Sequence, residues 1–210
     1  AELERLYHAL MEKSEEFNHV IKMGRTQLQD AVPIRLGQEF HAYATAIRRD
    51  INRFDRAKEE MRHLNLGGTA IGTGLNADVK YLQRVVKNIS LISGLDLIQA
   101  YDLIDATQNL DGYVVFSGIA KSCAVNFSKM CLDFRLMSSG PRTGLGEINL
   151  PAKQNGSSIM PGKVNPVIPE VVNQAAFHVI GNDMTVAMAA EAGQLAQRAF
   201  EPYIFSKLFK

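Results

Sequence analysis

The sequence predicts an all-α fold, a bundle of long helices. Two observations carry this. Apolar residues recur at steps of three and four along most of the chain, the period of a helix with one buried face. One late segment, 167–192, is apolar on almost every side, as a helix at the centre of a bundle is. Long helices, few strands and short turns together give the class.

The elements follow in order. Residues 1–18 place Leu3, Leu6, Tyr7, Leu10 and Phe17 on one helix face. From Lys22 to Leu36 the period breaks, with Gly24 and Pro33 as punctuation. A long helix is predicted from Gly37 to about Leu64, on Phe40, Tyr43, Ile47, Ile51, Phe54, Met61 and Leu64. Gly67–Asn76 is too rich in glycine for anything but a loop. A helix over 78–93 is stopped by Gly94. The next, over 107–137, carries Ser117, Gly118, Ala120, Ser122 and Ala124, small residues that permit close helix packing. An irregular stretch, 138–166, follows; one this long is functional or disordered. The apolar helix 167–192 needs more protein around it than 210 residues supply, so an oligomer is expected.

Composition bounds the function. Apolar residues make up 46% and charged residues 21%, and the formal net charge is +1. That balance points to neither nucleic acid nor a membrane surface as a partner. No apolar run reaches the ~18 residues of a membrane span, and no charged-apolar-small leader is visible, so a cytoplasmic location is expected. Cys123 and Cys131 form no Cys-x-x-Cys pair and read as buried thiols in a reducing compartment. The five histidines show no metal-ligand spacing, so no metal site is expected. Gly72-Thr73-Gly74 lacks both a preceding strand and a following Gly-Lys-Ser/Thr, which removes the nucleotide-loop readings. The chain opens at Ala1 inside a helical pattern, so it reads as a piece of something longer.

The stretch with the most chemistry is Gly156-Ser157-Ser158-Ile159-Met160-Pro161-Gly162-Lys163-Val164-Asn165-Pro166. Gly156 and Gly162 let backbone approach a ligand closely. Asn165-Pro166 reads as the N-cap and first position of the apolar helix. The positive helix end, with Lys163 beside it, favours a carboxylate there by ~0.3–2 kcal/mol per contribution. Composition alone fits a Gly/Ser-rich surface connector ahead of a capped helix as well.

This loop resembles the signature Gly-Ser-Ser-x-Met-Pro-x-Lys-x-Asn-Pro of the fumarase/aspartase superfamily, matched at every fixed position. Gly24–Pro33 is similar to the family's second substrate segment and Gly67–Asn76 to its glycine-rich loop. Ser139-Gly140-Pro141-Arg142 and Glu191–Leu195 fit as well. Gln27 stands where fumarases typically carry His, and Thr26-Gln27-Leu28-Gln29-Asp30 resembles the aspartase branch. One departure stands after Leu195: Arg198 places a charge where the family has an apolar residue.

The resemblance implies the family's central helical domain over 1–210, without its N-terminal and C-terminal domains. It implies elimination of ammonia from L-aspartate to give fumarate, which needs no redox cofactor or prosthetic group, with malate/fumarate hydration or a non-catalytic helical assembly fragment as alternatives. Ser157 would be the general base at C3, and the adjacent carboxylate would carry the charge as an aci-carboxylate. The Ser158 hydroxyl and the backbone N–H groups of Ser158, Ile159 and Met160 would stabilise it, one such donor being worth ~2.7–4 kcal/mol. Lys163, Asn165 and Thr26 would hold the other carboxylate, Gln27 would sit near the amino group or its carboxylate neighbour, and Glu170 would polarise site groups or offset the helix end. Family sites are built from three subunits of a homotetramer. With two of three site segments present, the isolated chain is expected to be inactive or nearly so.

Overall fold

The computed structural model describes residues 1–209. In chain order its elements are α1 (Glu2–Glu16), β1 (Ile21–Thr26), β2 (Gln29–Arg35), α2 (Leu36–Glu60), β3 (His63–Leu64), α3 (Val79–Ser93), β4 (Ile98–Gln99), α4 (Asp105–Gln108), α5 (Asp111–Met137), α6 (Val167–Glu191) and α7 (Glu201–Leu208). The architecture is all-α, dominated by the long helices α2, α5 and α6. No helix among the described residues is long and apolar enough to cross a membrane.

The chain divides into two compact units. The first holds residues 1–52 and 122–178; the second holds 53–121 and the chain from 179 onward. In the first, α2 presents Leu36, Phe40, Ala44, Ile47 and Ile51 to Leu10 of α1 and to Met130 and Met137 of α5. The α1–α2 contact is close: Ser14 Oγ donates to the Gly37 carbonyl at 2.8 Å. A Cβ on Gly37 would lie 2.2 Å from the Ser14 carbonyl oxygen, so no other residue fits there. Asn126 of α5 donates to the fully buried Asp50 of α2 at 2.8 Å.

Where the sequence shows only a broken period, the structure has an antiparallel hairpin, β1–β2. The register runs from Ile21↔Arg35 to Gly24↔Val32, then shifts so that Arg25 faces Asp30 and Thr26 faces Gln29, leaving Ala31 as an extra residue on β2. A bulge of this kind bends the ribbon and increases its twist. Pro33 sits in β2 of a two-stranded sheet, where a missing N–H is tolerated. Gln27 and Leu28 form the tip with φ of +52° and +64°, the geometry of a type I′ turn. Glycine and asparagine usually fill such positions; here two larger residues take left-handed backbone, at about 1–2 kcal/mol each.

In the second unit, Asp78 caps α3 by accepting from Lys80 and Tyr81 N–H at 2.7 and 3.2 Å, and Gly94 ends it at φ +69°. The predicted 107–137 helix is two pieces, α4 and α5, separated at Asn109–Leu110. Ser117 of α5 is buried and donates to Asp183 of α6 at 2.8 Å, with Lys121 pairing the same carboxylate at 2.5 Å. Helix α7, which the sequence reading missed, seats Ile204 against Leu110, Val186 and Ala189. Arg198 donates to the Ala106 and Asn109 carbonyls at 2.7 and 2.9 Å. Its charge thus sits at the C-terminal end of α4, where a cation is favoured.

Along α6, Asn173, Ala176, Val186 and Ala189 are buried. Ile168, Val171, Phe177, Met184 and Met188 are exposed, the two methionines at 66% and 65%.

Candidate active site

The irregular stretch between α5 and α6 begins anchored and then lets go. Glu147 N–H donates to the Met137 carbonyl at 2.8 Å, and Gly146 N–H to the Ser139 carbonyl at 2.9 Å. Ile148 packs on the core of the first unit. From residue 149 to 156 no hydrogen bond is made among the described residues. The chain then closes on itself: Ser157 N–H donates to the Lys163 carbonyl at 3.3 Å, and Lys163 N–H to the Met160 carbonyl at 3.1 Å. Two glycines make this closure possible. Gly162 takes φ +83°, and a Cβ on Gly156 would come within 2.9 Å of the Lys163 carbonyl oxygen.

Inside that loop the Ser157 hydroxyl oxygen accepts from both Ile159 N–H at 3.2 Å and Met160 N–H at 3.1 Å. The sequence reading aimed these N–H groups at a developing aci-carboxylate. In the structure, those of Ile159 and Met160 aim at Ser157 Oγ. Two donors on one oxygen stabilise its ionised form. Ser157 is half-buried, while Ser158, Ile159, Met160, Lys163 and Asn165 are exposed. No side-chain hydrogen bond or ion pair within the described residues engages Ser158, Lys163 or Asn165.

The start of α6 differs by one residue from the sequence reading. Glu170 N–H donates to the Pro166 carbonyl, so Pro166 takes the capping position and the Asn165 side chain is not spent there. Glu170 lies one turn into α6, where Arg135 of α5 reaches both its carboxylate and the Asn173 amide oxygen at 3.4 Å. Asn173 is itself buried and donates to Ser128 Oγ at 2.9 Å. Arg135 carries no sequence signal, because only the helix pairing brings it to Glu170.

The two loop stems, Leu150-Pro151 and Pro166–Pro169, border an apolar cavity of about 440 Å³ floored by Phe127, Met130 and Phe134.

Thr26 and Gln27 lie at the hairpin tip, both exposed. No hydrogen bond or ion pair among the described residues joins either to Ser157, Ser158, Lys163 or Asn165. Gln27 and Leu28 border a second cavity, of about 350 Å³, with Arg25, Tyr43 and Glu147. Here Arg25 Nη1 reaches Glu147 Oε1 at 2.5 Å, and Lys22 Nζ lies 2.6 Å from Glu147 Oε2 and 2.8 Å from Glu39. The Lys22 contact to Oε2 is an ion pair off the line of a good hydrogen bond. Burial pushes the Glu147 carboxyl up, but its contacts with Lys22 and Arg25 outweigh that and hold it below the ordinary glutamate value. Tyr43 is driven well up by burial and by its hydrogen bond to Asp133. The sequence reading did not find this cluster. Among the described residues, no group of three or more His, Cys, Asp or Glu is arranged to hold a metal ion.

The chain matches a family profile described as "Lyase" over residues 1–181. It is 58% identical, over all 210 residues, to aspartate ammonia-lyase of Pseudomonas fluorescens, and 54% identical over 208 residues to that of Bacillus subtilis. In both cases it spans 44% of the relative's length, less than half. The structure of fumarate lyase:delta crystallin from Brucella melitensis bound to cobalt superposes with a TM-score of 0.95 at 55% identity, covering 98% of this chain and 45% of that one. Recombinant class II fumarase from Schistosoma mansoni superposes at 0.91 with 35% identity, covering 98% of this chain and 46% of that one. A profile matched over most of the chain and relatives more than half identical along its whole length agree: the chain belongs to this lyase family.

Proposed function

We propose that the full-length protein is an aspartate ammonia-lyase and that this chain supplies its general base. The observation that carries this is the pair of N–H donors on Ser157 Oγ. A serine hydroxyl is a poor base unless its alkoxide is stabilised, and this loop has that stabilisation built into its own backbone. In the reaction Ser157 takes the C3 proton of L-aspartate and the electron pair moves into the adjacent carboxylate. It then returns to form the C2–C3 double bond as the C2–N bond breaks, leaving fumarate and ammonium.

Lys163 and Asn165, exposed and unengaged, hold the second carboxylate, beside the positive end of α6. Ser158 donates its hydroxyl to the charge-bearing carboxylate. Thr26 and Gln27 act from a hairpin tip that, among the described residues, makes no hydrogen bond or ion pair with Ser157, which supports a site shared between subunits. The exposed apolar side chains of α6 support the same reading, a homotetramer with these helices at its centre. The chain then corresponds to the central domain of that protein, working in the cytoplasm.

The fumarase similarity favours a second reading, malate/fumarate interconversion. Full-length protein given L-aspartate and, separately, L-malate separates the two by the ultraviolet absorbance of fumarate. Appearance of fumarate from L-aspartate alone supports the ammonia-lyase; appearance from L-malate alone overturns it. In the active reaction, Ser157→Ala is expected to lower kcat by about 10²–10⁴-fold. A fall of less than about tenfold would remove Ser157 as the base.

A further inference from the structure

We propose that Glu147 is a positioning residue that fixes the hairpin tip carrying Thr26 and Gln27. The inference rests on the reading of that tip as a substrate segment. Glu147 belongs to neither site segment; it stands ten residues ahead of Ser157 in the irregular stretch. Its backbone is tied to the end of α5 through the Met137 carbonyl at 2.8 Å. Its carboxylate, 14% exposed, binds Arg25 through Oε1 and meets Lys22 through Oε2.

Lys22 and Arg25 are three residues apart on β1. Strict alternation along a strand would turn them to opposite faces. The extra residue Ala31 on β2 raises the local twist, and both cations reach one carboxylate. Glu147 therefore grips the ribbon at two levels, near its base and one residue below Thr26. Lys22 is held again by Glu39 of α2. Gln27 and Leu28 beyond the clamp carry left-handed backbone, a conformation that persists only where surrounding structure enforces it. The clamp and the bulge are that enforcement.

The test uses the full-length protein with Glu147→Gln and Glu147→Asp. Glutamine keeps the shape and one acceptor but cannot compensate two cations. Kinetically, Glu147→Gln is expected to raise KM for L-aspartate about tenfold with a smaller change in kcat. Glu147→Asp, which keeps the charge, restores part of the loss. A merely structural role would lower the amount of active enzyme, and so apparent kcat, with KM unmoved. Amide hydrogen exchange supplies a readout that needs no turnover. Residues 22–30 are expected to exchange about tenfold faster in Glu147→Gln, while α2 and α5 do not change. Unchanged exchange in the hairpin, or KM within about twofold of the parent, overturns the proposal. Absence of turnover in the parent overturns the ammonia-lyase reading instead, and the exchange result still decides whether Glu147 holds the tip.

Discussion

A carboxylate between two cations carries a pH signature. Glu147 is depressed in the folded protein, so it binds its proton less readily there than in the unfolded chain. A depressed carboxyl stabilises the fold above its unfolded value, and that contribution disappears as pH falls through the folded value. The urea midpoint of the parent is thus expected to exceed that of Glu147→Gln near neutrality. The gap should narrow once pH drops below the ordinary 4.5 and close at lower pH. A gap that stays constant into acid would mean the charge contributes nothing. At this scale legibility was uneven. Ser157, Ser158, Lys163 and Asn165 could be singled out because a loop keeps its chemistry contiguous. Glu147 could not, since its partners lie 122 and 125 positions earlier (Arg25 and Lys22) and meet it only through a bulge and a helix end. The direction of the Ile159 and Met160 N–H groups, onto Ser157 Oγ, was also hidden, because backbone direction in a glycine-flanked loop leaves no trace in residue type.

Helices announced themselves in the sequence and the hairpin did not. α2, α5 and α6 each bury one stripe or more of a three-four pattern; α3 buries only Val86, but Asp78 and Gly94 bound it as cap chemistry requires. β1 and β2 do alternate Ile21, Met23 and Val32, Ile34. Their turn, however, lacks the Asn-Gly type of pair that marks a two-residue hairpin. Eight-residue α7 is too short for periodicity to stand out, and α4 was absorbed into α5 because the break at Asn109–Leu110 carries neither glycine nor proline. The hairpin tip yields a prediction of its own. Leu28 is exposed and strained, so Leu28→Gly should relieve about 1–2 kcal/mol of backbone cost. Greater freedom of the unfolded chain offsets about 0.4–1 kcal/mol of that. A net rise in stability of about 0–1.6 kcal/mol is expected in urea unfolding. Loss of stability would show that the Leu28 side chain does more in its cavity than its exposure implies.

For the molecule as a whole, 210 residues leave much apolar surface in water. Leu91, Ile92, Leu95 and Tyr101 are exposed in the second unit, and a row of large apolar residues is exposed along α6. The sequence reading anticipated this from a helix apolar on nearly every side. It could not say which side the chain itself would cover, because that depends on Ala176, Val186 and Ala189 meeting neighbours distant in sequence. Among these outward side chains, Met184 and Met188 have a chemistry of their own. Peroxide converts an accessible thioether to a sulfoxide, adding one oxygen atom, and spares a covered one. In the isolated chain both methionines should oxidise as fast as free methionine, read residue by residue by mass spectrometry. In the full-length protein they should oxidise many times more slowly if α6 lies between copies. Equal rates in both would leave that helix facing solvent. Two sulfur atoms thus act as a built-in footprint of whatever covers α6 in the full-length protein, legible without labelling it.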